Sequence, residues 1–129
     1  MGRGTYEDIA ERRKKRSPNF RKLLPNRDSY VVSHTLTNCP GPNQVQGAKV
    51  IHGLDDIRET GTIFLLGGFH LWMQYWNYVD RIYMTIVPGN YKTTKKFPVG
   101  WLDKEFKIVD GNKEVTEQGE ILFVEYWRK

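Results

Sequence analysis

Apolar and polar positions along the chain follow two rhythms. Tyr6, Ile9 and Ala10 fall at i, i+3 and i+4, the spacing of one helix face, and Thr5 with Asp8 resembles a capping pair. A helix is therefore predicted from about Thr5 to Lys15, ended by Ser17-Pro18. Leu23 to Asp28 is turn chemistry, and Ser29 to His34 reads as a strand rich in β-branched and aromatic residues. After a loop at Asn38 to Asn43, Ala48 to Ile51 is a short strand. Leu54 to Glu59 is a short helix with Asp55 and Asp56 in its first turn. Ile63 to Leu66 is an apolar run that reads as a buried strand. It stops at Gly67-Gly68, and a helix follows from Phe69 to about Trp76. Asp80 to Val87 is a further strand, closed by Pro88-Gly89-Asn90. Glu105 to Val109 and Ile121 to Trp127 read as partners on a long hairpin, with turn residues Asp110-Gly111-Asn112 after the first.

Helices alternating with buried strands, then a terminal hairpin, predict an α/β fold. Three layers are expected, with a mostly parallel central sheet, a carboxy-terminal antiparallel hairpin and one domain over residues 1–129. Ligands in such sheets gather at the carboxyl ends of strands, where Gly67-Gly68 falls. Missing side chains there would let a phosphate-bearing ligand reach backbone N–H groups at the positive end of the following helix. A tight strand-to-helix turn with no ligand is the competing account of the same two glycines.

Composition narrows the class. A 39% hydrophobic and 13% aromatic content describes a folded globule, and no window approaches a membrane span. Cys39 is the only cysteine, which leaves no intrachain disulfide and no thiolate metal cluster; with no signal-peptide core, a cytoplasmic setting is expected. The net charge of +5 is local, since the segment Arg12 to Lys22 holds seven of the twenty basic residues and the rest of the chain is net −2. Without an interleaved aromatic platform, that run reads as the solvated end of a helix rather than a nucleic-acid footprint.

Four blocks occur in order: Met1-Gly2-Arg3-Gly4-Thr5-Tyr6-Glu7, Leu24-Pro25-Asn26-Arg27, Leu66-Gly67-Gly68 with its helix, and Tyr83-Met84-Thr85-Ile86. With Phe97-Pro98 and the terminal hairpin, the set resembles dihydrofolate reductase over essentially the whole chain. The resemblance implies an NADPH site. Arg3 would meet a cofactor phosphate, Gly4 and Thr5 would lie by the pyrophosphate, and Ser33 and His34 would hold the adenosine 2′-phosphate. Gly67, Gly68, Phe69, His70, Leu71 and Trp72 would underlie the pyrophosphate and nicotinamide. Phe69 stands where a glycine or small residue is expected, and Trp72 where many members carry tyrosine. The resemblance also implies a dihydrofolate site. Arg27 would pair with the glutamate-tail carboxylate, Leu24 and Leu66 would line the ring slot, and Thr85 would support the catalytic carboxylate. No metal is implied.

Family members begin with a strand, a mobile loop and a helix bearing an Asp or Glu, and Met1 aligns with an internal methionine of that pattern. The resemblance thus implies a missing amino-terminal segment of roughly 30 residues or more, through either a late-assigned start or genuine loss. No catalytic residue is assigned within the chain. Thr94-Lys95 also departs from the Asp-Thr expected before Phe97-Pro98. The leading expectation is NADPH-dependent reduction of dihydrofolate to tetrahydrofolate, in one-carbon metabolism and nucleotide synthesis. A non-catalytic NADPH-binding or partner-binding relative is the alternative. A monomer is expected, with dimerisation by edge pairing as its competitor. A related pyrimidine reductase of flavin synthesis shares the fold in part, and Arg27 after Leu24-Pro25 favours folate.

Overall fold

The computed structural model describes residues 1–129, which divide into two compact units, Met1–Gln74 and Tyr75–Lys129. In the first, helix α1 (Arg3–Arg16) is followed by strands β1 (Tyr30–Val32) and β2 (Lys49–Ile51), a 3-10 turn (Leu54–Asp56) and helix α2 (Phe69–Gln74). Strands β1 and β2 pair in parallel, Val31 opposite Val50. On the other side of β1 run Met1 and Gly2: Met1 N donates to Tyr30 O at 2.9 Å, and Val32 N to Met1 O at 2.9 Å. Gly2 N then donates to Gly67 O at 2.7 Å. The outer edge of β2 is closed by a side chain, with Asn38 Oδ1 accepting from Val50 N at 2.8 Å and Nδ2 donating to Val50 O at 3.2 Å. An amide thus replaces a neighbouring strand.

Tyr6 and Ala10 of α1 enter the core beside Met1, Phe20, Leu23, Val31, Val45 and Val50. Residues 17–23 are drawn under them by Gln46, whose Nε2 donates to Pro18 O at 2.9 Å and Phe20 O at 3.0 Å. The four basic residues Arg13 to Arg16 occupy the last turn of α1, where cations suit the dipole.

The second unit holds a 3-10 turn (Trp76–Tyr78), β3 (Arg81–Ile86), α3 (Val99–Glu105), β4 (Phe106–Thr116) and β5 (Gly119–Arg128). Its sheet is antiparallel, in the order β3-β5-β4. Trp76 is the hub of the core, with ring centroids of Phe106, Phe97 and Trp101 at 5.3, 6.0 and 6.2 Å. Its indole donates to Glu105 Oε2 at 2.7 Å. Arg128 completes the cluster, donating to the same oxygen at 2.9 Å, to Trp76 O at 2.5 Å and to Val79 O at 2.8 Å. Its guanidinium carbon lies 4.5 Å from the Phe106 ring centre. The Arg128 hydrogen bond, ahead of the indole, holds the Glu105 carboxyl below the usual range.

Several expectations are corrected. There is no large parallel sheet: the parallel part is two strands, and the larger sheet is antiparallel. Ile63 to Leu66 joins no ladder, and Ile63, Phe64 and Leu66 are 49%, 52% and 43% exposed; the neighbouring backbone bond, from Gly2 N, falls on Gly67 O instead. α1 starts at Arg3 with Gly2 as its cap, so Thr5 is inside the helix and caps nothing. The 54–59 helix is a single turn, and the 69–76 helix stops at Gln74 before a 3-10 turn. Asp110-Gly111-Asn112 is not a turn. β4 passes through it with an irregularity between Ile108 and Asp110, and the hairpin closes at Glu117–Gln118, where Thr116 Oγ1 accepts from Gln118 N and donates to Gly119 O. Helix α3 went unread behind Phe97-Pro98.

Two glycines test the first unit in opposite directions. Gly47 has φ +70, and a Cβ there would sit 2.6 Å from Leu23 N and 2.8 Å from the Phe20 ring. Gly47→Ala is expected to destabilise by about 2 kcal/mol or more. Gly4 is helical with nothing within 4 Å of its Cβ direction, so Gly4→Ala is expected to stabilise by roughly 0.5–1 kcal/mol. Urea midpoints at constant slope check both.

Candidate functional site

The glycine joint is built from backbone. Gly67 is buried with φ +114, and the Gly67–Gly68 peptide is cis. A Cβ on Gly67 would come within 3.2 Å of the Trp72 ring and 3.7 Å of Thr5 Oγ1; one on Gly2 would lie 3.6 Å from Gly68 N. Gly2, Thr5, Gly67, Gly68 and Trp72 therefore converge. The Trp72 indole donates to Leu65 O at 3.0 Å, which fixes its ring beneath the joint. Gly2 offers α1 no side-chain cap, and the first turn carries no acidic residue. That leaves the positive end of a 14-residue helix open at Arg3, Gly4 and Thr5. The helix after the glycines has six residues and already uses Gly68 O for Trp72 N at 3.1 Å. The longer helix whose start meets this joint is thus α1, whereas the helix that follows the glycines is a short one. Phe69 is half-buried with its ring 5.8 Å from that of His70, which is exposed, and Leu71 is buried in the core.

Arg3 reaches from this helix end toward β1. Its Nε meets Glu7 at 2.7 Å and its Nη1 donates to Thr35 Oγ1 at 2.7 Å. Ser33 is buried, and its Oγ accepts from Thr35 N at 3.2 Å and Leu36 N at 3.1 Å, shaping the turn that carries exposed His34. His52, unassigned from the sequence, stands beside His34 with ring centroids 5.1 Å apart.

Below the joint lies a cavity of about 550 Å³, a volume suited to a small-molecule ligand. Leu24, Arg27 and Leu66 all line it, as do Tyr30, Glu59 and Phe64. Arg27 follows Asn26 in a left-handed conformation (φ 58) and lies over the Phe64 ring at 5.6 Å. Its guanidinium makes no ion pair, whereas neighbouring Asp28 is matched with Lys22 at 3.3 Å. A planar cation without a carboxylate partner suits an incoming carboxylate. On another wall the Tyr30 hydroxyl donates to Glu59 Oε1. That bond holds the Glu59 carboxyl down and, with lesser help from burial and nearby charge, pushes Tyr30 up to about 12. Nothing in the sequence marked this pair, because Glu59 sits in a polar loop.

Thr85 belongs to the second unit. It lies exposed on β3 opposite Phe123 of β5, at a hollow of about 200 Å³ shared with Tyr83, Asp110, Asn112 and Glu125. No group of three or more His, Cys, Asp or Glu side chains is placed to hold a metal, and no helix is long and apolar enough to cross a membrane.

A two-stranded parallel layer, a glycine joint beside a helix start and a cavity lined by a cation without an ion pair make up the candidate site of this α/β chain. The chain belongs to the dihydrofolate reductase family, whose model matches residues 1–128. Dihydrofolate reductase of Staphylococcus aureus (strain Mu50 / ATCC 700699) is 34% identical over 100 residues, covering 76% of this chain and 52% of the relative. That of Bacillus subtilis (strain 168) is 28% identical over 136 residues, covering 100% of this chain and 71% of the relative. The chain thus spans about half the length of the first of these relatives. In structure it is similar to dihydrofolate reductase from Enterococcus faecalis complexed with NADP(H) and RAB-propyl, with a TM-score of 0.71 and 23% identity over 99% of this chain and 71% of that one. That likeness establishes a dihydrofolate reductase-like α/β fold.

The Tyr30–Glu59 bond is directly testable. In an alkaline absorbance titration, one of the seven tyrosines is expected to stay protonated until about pH 12. In Glu59→Gln it should ionise near the ordinary value of about 10. Superimposable titrations of the two proteins would show that the bond is not made in solution.

Proposed function

We propose that this chain serves the NADPH-dependent reduction of 7,8-dihydrofolate to 5,6,7,8-tetrahydrofolate. The observation that carries this reading is the meeting of Gly67 and Gly68 with Gly2 and Thr5 at the uncapped start of α1. A backbone cradle without side-chain bulk, beside unpaired helix N–H groups, fits a pyrophosphate, and any Cβ at Gly67 would crowd Trp72. Arg3 adds a cation at the same helix end, and Ser33 and His34 lie within reach of its Thr35 contact for the adenosine phosphate.

When bound, NADPH supplies a hydride to C6 of the pterin, and a proton is delivered to N5. This chain's residues bind and orient. Leu24, Leu66 and Phe64 offer apolar wall to flat rings, and Arg27 takes the glutamate-tail carboxylate. Thr85 is the hydroxyl assigned to support the catalytic carboxylate. The reading places the protein in one-carbon metabolism and nucleotide precursor supply, in the cytoplasm.

One observation favours a second reading, a relative that binds NADPH without turnover. The carboxylates lining the cavity are Asp28 and Glu59. Asp28 is engaged by Lys22, and Glu59, held by Tyr30, stays ionised at neutral pH and is a poor proton donor.

The two readings separate in one assay. With NADPH and dihydrofolate, the reductase loses absorbance at the nicotinamide band, whereas the binding relative quenches with NADPH and shows no loss. Arg27→Ala is expected to weaken dihydrofolate binding by about 2 kcal/mol, roughly 30-fold, with NADPH affinity unchanged. Equal dihydrofolate affinity in the variant would remove Arg27 from the substrate site. Absence of NADPH binding would remove both readings.

A further inference from the structure

Residues 57–66 run from the end of the Leu54–Asp56 turn to the glycine joint, and all of them except Arg58 line the cavity. Both ends are anchored through backbone carbonyls. Ile57 N donates to Leu54 O at 3.0 Å. At the far end Leu65 O accepts from the Trp72 indole at 3.0 Å, and Gly67 O accepts from Gly2 N at 2.7 Å. Between these anchors the segment pairs with no strand, and residues 58–64 are all exposed. Two side chains from the stretch leading into β1 hold it in place. The Tyr30 hydroxyl donates to Glu59 Oε1, and the Arg27 guanidinium carbon lies 5.6 Å from the Phe64 ring centre.

Gly61 lies between those two points with φ +126, and nothing is within 4 Å of its Cβ direction. A glycine there passes through dihedrals closed to other residues, and no packing resists the movement. A segment with fixed ends, no ladder and an exposed middle belongs to the low-stability part of a fold. Its closed position therefore depends on the side chains that hold it. A hydrogen bond to an ionised carboxylate is the stronger of the two, since a cation over an exposed ring contributes less.

We propose that residues 58–64 form a strap that opens and closes the cavity, with the Tyr30–Glu59 bond as its clasp, so that a ligand enters and leaves only while the clasp is released. The choice of dihydrofolate as that ligand rests on the reading above; the strap and its clasp do not.

Stopped-flow fluorescence of the whole chain mixed with dihydrofolate tests it, with Tyr30→Phe removing the clasp at little change in volume. A gate acts on both directions alike. Association and dissociation should each quicken about tenfold in the variant, while Kd stays within about twofold. Glu59→Ala should give the same pair of changes, which covers poor folding of Tyr30→Phe. A lost wall contact would quicken dissociation alone; that outcome, or wild-type rates in both variants, would overturn the strap. Limited trypsin digestion reads the strap without any ligand, at the Arg58–Glu59 bond. Cleavage there should rise about tenfold in Tyr30→Phe, as the open population does, with cleavage after Arg21 and Lys22 unchanged. Equal cleavage at Arg58 in the two proteins would overturn the strap. If dihydrofolate does not bind at all, the reductase reading falls and the tryptic result alone decides the strap.

Discussion

The hydrogen bond from Gly2 N to Gly67 O, 2.7 Å long, is the constraint on which the first unit turns. Gly67 holds its side of the contact at φ +114, a backbone conformation that favours glycine. Once made, the bond sets the start of α1 beside the Gly67–Gly68 peptide. Everything offered to an anion follows from that approach: the uncapped N–H groups of Arg3 to Thr5, the Thr5 hydroxyl near both glycines, and the Arg3 guanidinium projecting toward β1. Trp72 secures it from below, its ring against Gly67 and its indole on Leu65 O.

Much of this was legible where a local signal and a tertiary need agree. β1, β2 and β3 fall within the segments that hydrophobic patterning picked out, and Gly67-Gly68 is the joint its composition implied. Where patterning failed, a partner decided. Ile63 to Leu66 has strand composition, but composition cannot supply a neighbour to pair with, and the segment stays unladdered. Asp110-Gly111-Asn112 has turn chemistry, yet pairing with Glu125 to Phe123 on β5 carries β4 straight through it. Thr5 looks like a cap, but the Gly2 contact starts the helix earlier.

The candidate site was readable to the same degree. Leu66 is far in sequence from Leu24 and Arg27, yet all three line one cavity. Tyr30 with Glu59 and His34 with His52 carry no signal in the sequence, since each pair joins two segments that only the fold brings together. The Tyr30–Glu59 bond changes the proton affinity of both its partners, so the chemistry of the cavity wall depends on a pairing that no motif records. Arg27 remains without a counter-ion beside a cavity whose two carboxylates are already engaged.

The most direct measurement is a backbone amide map of the chain titrated with NADPH, by nitrogen–proton correlation NMR. Shifts should concentrate at the amides of Arg3 to Tyr6 and of Gly67 to Trp72, with a smaller response at Ser33 to Thr35. Saturable binding that leaves the amides of Gly67, Gly68 and the α1 start unmoved, with shifts clustered elsewhere, would contradict the account.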